Sequence, residues 1–128
     1  MILKYKIRQE AEKGAFSPFI VGAEEITLTS VTLEGIVEGD LVSLNIDISW
    51  LKPMCDLGEL EIFLRKDTPN GPVLYWTLET CFAKANTRER YSLTGEDGMR
   101  NFYLTVRSSE EKAILTGYAL EGSVSSPA

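Results

Sequence analysis

The run Leu41-Val42-Ser43-Leu44-Asn45-Ile46-Asp47-Ile48-Ser49-Trp50 alternates without a break. Val42, Leu44, Ile46, Ile48 and Trp50 share one parity, and Ser43, Asn45, Asp47 and Ser49 share the other. Successive side chains of a strand point to opposite faces, so this run predicts a strand with one buried and one wet side. On a helix the same five apolar residues would scatter around the circumference.

The period of two recurs along the chain. Leu3, Tyr5 and Ile7 show it, as do Leu60, Ile62 and Leu64, then Leu74, Trp76 and Leu78. Tyr91 and Leu93 follow, then Phe102, Leu104 and Val106, and finally Ile114, Thr116, Tyr118 and Leu120. Within residues 25–34 the phase changes. Ile26 and Leu28 share one parity, Val31 and Leu33 the other, which places a β-bulge near Thr29-Ser30. Turn signals separate the runs: Gly35, Glu38-Gly39-Asp40, Asp67 through Pro72, Gly95-Glu96-Asp97-Gly98 and Ser108 through Glu111. Pro69-Asn70-Gly71 fits a type I turn closed by a glycine at positive φ. Only residues 11–14 and 83–87 leave room for a helical turn.

Eight or nine short strands at this spacing predict an all-β fold, an antiparallel β-sandwich of jelly-roll-like form. An up-and-down barrel is the alternative. The long connections at residues 10–18 and 50–58 suit Greek-key crossings better. With 128 residues, the chain has the size of one domain. The expected organisation is a single β-sandwich domain over residues 1–128, with an N-terminal edge strand at 2–8 and a small, polar, frayed tail at 123–128.

Composition narrows the function. The net charge of −6 repels phosphate groups, so neither nucleic acid nor an anionic membrane is an expected partner. No apolar run approaches the roughly 20 residues that span a bilayer. Met1 to Arg8 contains no h-region, so the expectation is synthesis in the cytosol without a signal peptide. Histidine is absent. Most general acid–base sites, Ser-His-Asp and Cys-His systems, and most catalytic zinc sites rely on it. No catalytic residue, cofactor or metal ligand is therefore nominated, and an enzyme is not expected.

Several groups remain as candidates. Pairing residues 60–66 with 73–81 across the Pro69-Asn70-Gly71 turn sets Cys81 opposite Leu57, two residues from Cys55. Cys55 and Cys81 either form a disulfide, worth about 2–4 kcal/mol, or remain two reduced thiols. Glu34, Glu38 and Asp40, and separately Glu96 and Asp97, make oxygen-rich turns that either bind calcium or simply favour solubility. Glu59, Glu61 and Glu79 are the carboxylates a glycosidase pair would need, although parity turns Glu59 and Glu61 outward like ordinary sheet charges. Lys84, Arg88 and Arg90 form a basic run, read either as a solvated loop or as a contact for an acidic neighbour. Trp50, Trp76 and Phe102 fall on expected core faces. Tyr75 and Tyr103 have the opposite parity, and outward aromatics mark a subunit interface or a sugar platform. Tyr75, Tyr103, Arg88 and Arg90 are thus the interface candidates.

Three strings carry a resemblance: Pro18-Phe19-Ile20-Val21 with Glu25 through Leu33, Leu60 through Arg65 with Gly71-Pro72-Val73, and Phe102 through Val106 with Ala113 through Gly117. In this order they resemble small exosporium-type proteins of endospore-forming Firmicutes, over residues 18–122. The resemblance implies a jelly roll similar to the tumour-necrosis-factor domain, a homo-oligomer with a trimer favoured, and a structural role on the spore surface. It brings no active-site residues. The function expected is a non-catalytic, self-associating structural protein. A carbohydrate- or protein-binding β-sandwich module is the alternative.

The thiols are open to a direct test. If Cys55 and Cys81 pair within one chain, intact mass rises on reduction by the two hydrogens of thiol formation. Two titratable thiols with unchanged mass would exclude the bond.

Overall fold

The alternating runs build nine strands in a computed structural model that describes residues 1–11, 16–54 and 57–127. They are β1 (Ile2–Glu10), β2 (Phe19–Ile20), β3 (Ile26–Thr32), β4 (Leu41–Leu51), β5 (Gly58–Lys66), β6 (Val73–Cys81), β7 (Lys84–Thr94), β8 (Asn101–Arg107) and β9 (Ile114–Ser126). One antiparallel sheet has the order β1-β9-β4-β7, with β2 also paired to β9. The other has the order β3-β8-β5-β6. The β5–β6 hairpin stays within one sheet, while the connections from β3 onward otherwise cross between sheets. This is the jelly-roll order, a double-sheet sandwich.

The inner faces make the core. Val42, Leu44, Ile46, Ile48 and Trp50 are all buried, as their alternation predicts. They meet Leu60, Ile62 and Leu64 of β5 and Phe102, Leu104 and Val106 of β8, also buried. Each such side chain contributes about 1.5–3 kcal/mol by leaving water. The buried Trp50 indole donates to the Thr87 hydroxyl at 3.3 Å, so its polar edge is satisfied.

The β3 bulge expected near Thr29-Ser30 is present, centred on Leu28 between the Thr27 and Thr29 pairings. Several expectations are corrected. Residues 83–87 do not hold a helical turn. Lys84 onward is strand, because β7 pairs with β4 along its whole length, from Leu51↔Lys84 to Leu41↔Thr94. Residues 12–14 of the other proposed helical turn, and Cys55 of the proposed disulfide, lie outside the described residues. Residues 123–126 are not a frayed tail. They belong to β9, paired to both β1 and β4, with Val124 buried in the core. Ile114 and Thr116 do not share the face of Leu120, since the register shifts at Thr116 and it is Leu115 that is buried. Leu3 is exposed, because β1 shifts register between Leu3 and Tyr5.

The hairpin correction matters most. Leu60, Ile62 and Leu64 pair with Glu79, Thr77 and Tyr75. Directly opposed residues share a face, so the inner row of β6 is Tyr75, Thr77, Glu79 and Cys81. Trp76 and Leu78 face outward, and Tyr75 packs inward against the core, the reverse of what Leu74, Trp76 and Leu78 predict alone. Cys81 is buried opposite Gly58, one residue from the expected Leu57. The positive φ of this turn is at Asp67 (74°) and not at Gly71.

Gly71 is needed for a different reason. A Cβ there would sit 1.9 Å from the Lys66 carbonyl oxygen. Gly71→Ala is expected to lower stability by about 1–3 kcal/mol through the forced rearrangement of the turn. A urea midpoint unchanged from the parent would contradict this.

Candidate functional site

The register that turns Trp76 outward assembles a distinctive surface on the outside of the β3-β8-β5-β6 sheet. Cross-strand partners form rows there. Ser30, Tyr103, Arg65 and Val73 make one row. Thr27, Thr105, Phe63 and Trp76 make the next, and Arg107, Glu61 and Leu78 a third. Val73, Trp76 and Leu78 on β6 are 46%, 50% and 47% exposed. Phe63, one strand further in, is only 7% exposed although it points outward.

Two arginines cover it. The Arg65 and Arg107 guanidinium carbons lie 5.3 and 5.6 Å from the Phe63 ring centroid, within cation–π range. Arg65 is held in turn by a fork on Glu25, with Nε to Oε2 at 2.6 Å and Nη2 to Oε1 at 2.8 Å. It also donates to the Gly71 carbonyl at 2.7 Å, which ties this face to the hairpin turn. Arg107 donates to Glu61. Hydrogen bonding from Arg65 holds the Glu25 carboxyl below its ordinary pKa, against the opposing effect of burial. The ladder is therefore charged and paired, and it borders an apolar strip on the edge strand.

The four interface candidates do not come together. Tyr103 lies on this outer face, beside Arg65. Tyr75 lies inside, 6.0 Å from the Tyr91 ring across the sandwich rim. Burial first, and then the charge of Glu89, pushes its phenol pKa up. Arg88 and Arg90 are exposed on the outside of the opposite sheet, in a row with Lys84 and Asn86 along β7. They form a strand face and not a loop. Arg88 lies 3.5 Å from Asp47, and Arg90 donates to the Ser43 hydroxyl at 3.3 Å. A shallow cleft of about 380 Å³ opens on that sheet between Arg8, Asp47, Ser49 and Gly117.

The carboxylate candidates separate likewise. Glu61 points outward on Arg107, while Glu79 belongs to the inner row opposite Leu60. They do not face one another across a cleft. The two acidic turns do meet: the Glu38 amide donates to Asp97 at 3.0 Å, and the Gly95 amide to the Asp40 carbonyl at 2.6 Å. Asp40 is 1% exposed. Its carboxylate receives Lys4 Nζ at 2.6 Å and the Val37 amide at 3.0 Å. Among the described residues no group of three or more Cys, Asp or Glu side chains is gathered that could hold a metal ion. Asp40 acts here as a tie between β1 and the 35–40 turn.

Trp76, Leu78 and Phe63 were not singled out as a surface by sequence parity. The signal that would have found them is the apolar row of β5. Once its partners are known, the outer face of β6 follows from pairing alone. Compared with known proteins, the chain matches no family model and no curated sequence.

Asp40 generates a pH prediction. The hydrogen bond from Lys4, then that from Val37, lowers its pKa, against burial. A depressed carboxylate adds stability that is complete above its unfolded value, about 3.9, and is lost as pH falls through the folded value. Asp40→Asn is therefore expected to melt below the parent at pH 7, with the gap narrowing as pH drops below about 4. Thermal melts across that range check it; a gap constant with pH would contradict the assignment.

Proposed function

We propose that this chain is a non-catalytic structural protein that works by associating with copies of itself. The observation that supports the reading is the apolar strip of Val73, Trp76 and Leu78, which lies along a sheet edge instead of in the core. Large apolar side chains clustered in water, rimmed by polar groups, mark contact surfaces. Arg65, Arg107, Glu25 and Glu61 supply such a rim, already paired and needing little rearrangement. The resemblance to exosporium-type proteins extends the proposal to a spore-surface location and to a homo-oligomer, with a trimer favoured.

A second reading rests on Trp76 alone. A half-exposed indole beside fixed charged groups is also how a sheet face stacks on a sugar ring, and a carbohydrate- or protein-binding module is the alternative. A glycan array separates the two, since binding lost in Trp76→Ala favours the module.

For the lead reading, light scattering coupled to size exclusion is decisive. The expected result is a mass above the 14.3 kDa of one chain, rising with concentration. A strict monomer at the highest soluble concentration overturns it.

A further inference from the structure

Among the described residues, β6 is the long edge strand most open to pairing. β1 presents Lys4, Lys6 and Arg8 and is broken by a register shift. β7 presents Lys84, Arg88 and Arg90. β3 is short and bulged at Leu28. Charges and bulges of this kind protect edges from adding another strand. β6 is irregular only at its start, beside Arg65, and runs in constant register from Tyr75 to Cys81 with Glu79 as its one charge.

Its backbone faces the right way. Glu59 donates its N–H to the Lys112 carbonyl at 3.0 Å and accepts the Ser108 hydroxyl at 2.7 Å, both on the β8 side. Backbone groups alternate sides along a strand, so Leu60, Ile62 and Leu64 address β6. Their partners Glu79, Thr77 and Tyr75 address β5 in return. Trp76, Leu78 and Thr80 are left with N–H and C=O turned to the edge, where no strand lies among the described residues.

We propose that β6 pairs antiparallel with β6 of a second copy about a two-fold axis at Thr77, joining the two β3-β8-β5-β6 sheets into one. The strand is its own complement in this register. Trp76 falls opposite Leu78 of the other copy, and Leu78 opposite Trp76, so the exposed apolar pair is covered twice. On the inner row each Glu79 stands opposite a Tyr75. The two Glu79 side chains stand four residues apart along the ladder, about 14 Å. At that separation, with an effective dielectric of about 20, the repulsion is modest. Shifting the axis to Leu78 would instead set Trp76 against Thr80 and Thr77 against Glu79, losing the apolar match. A strand-edge contact is small by interface standards, so the dimer is concentration-dependent.

The inference rests on the self-association reading, and the test separates the two. Sedimentation equilibrium of the full chain is compared with Leu78→Lys and with Leu78→Pro. The proline removes an N–H that faces the open edge and not β5, a position where a strand tolerates it. Circular dichroism and melting confirm that each variant is folded. The expected result is dimerisation weakened at least about tenfold in both. In the parent, hydrogen exchange at the Trp76, Leu78 and Thr80 amides should slow as concentration rises. Folded variants that associate like the parent, or exchange at these amides that ignores concentration, overturn the β6 contact and leave self-association standing. A parent that stays monomeric overturns both.

Discussion

The ladder between β5 and β6 decides which residues of this protein meet water. Side chains alternate with a period of two, so a one-residue change in pairing exchanges the two faces of a strand. The turn at residues 67–72 sets that pairing. Its amides close tightly, Thr68 on Lys66 and Gly71 on Thr68, both at 2.9 Å, with the Lys66 carbonyl where a Gly71 side chain would otherwise be. Leu74 is then left out of the regular register. Every later residue of β6 falls one step from where a simple hairpin would put it. Tyr75 enters the core and Trp76 leaves it.

The same ladder gives the two outer faces different characters. Outside β1-β9-β4-β7 the middle of the sheet is polar, with Ser43, Asn45, Asp47 and Ser49 on β4 and with Lys6 and Arg8 on β1 reaching Glu121, while apolar Leu3 and Ile20 are exposed towards its ends. Outside β3-β8-β5-β6, Phe63 is roofed by two arginines, while Trp76 and Leu78 at the margin have no roof. The apolar surface is shielded in the middle of the sheet and bare at its edge. That distribution favours a contact made edge to edge over one made face to face.

Most of the fold was legible because most strands announce their own inner face. Val42 to Trp50, Leu60 to Leu64 and Phe102 to Val106 each carry an unambiguous stripe, and all of those apolar residues are buried. What was hidden depends on partners. On β6 both parities hold bulky residues, Leu74, Trp76 and Leu78 against Tyr75, so composition could not rank them. On β9 the shift at Thr116 lets Leu115 and Leu120, of opposite parity, both reach the core. Residues 123–126 look like a tail because Ser123, Ser125 and Ser126 are small and polar. They are ordered by pairing to neighbours more than a hundred residues earlier, such as Leu3 and Tyr5. The candidate surface was illegible for the same reason as the β6 register, since it is composed of one strand's outer row and its neighbours.

The placement of β9 shapes how this molecule is made. It lies between β1 and β4 and also holds β2, yet it follows every other strand along the chain. On the ribosome, β3, β5, β6 and β8 can begin to associate, and β4 can pair with β7, while β1 still lacks the strand that joins it to β4. The inner stripe of β4 must therefore wait, greasy and uncovered on one flank, until residues 114–126 emerge. Pairings that span so much of the chain form slowly, because loop closure comes before any contact repays it. Birth, for this jelly roll, is the interval in which it is most exposed to sticking to the wrong neighbour.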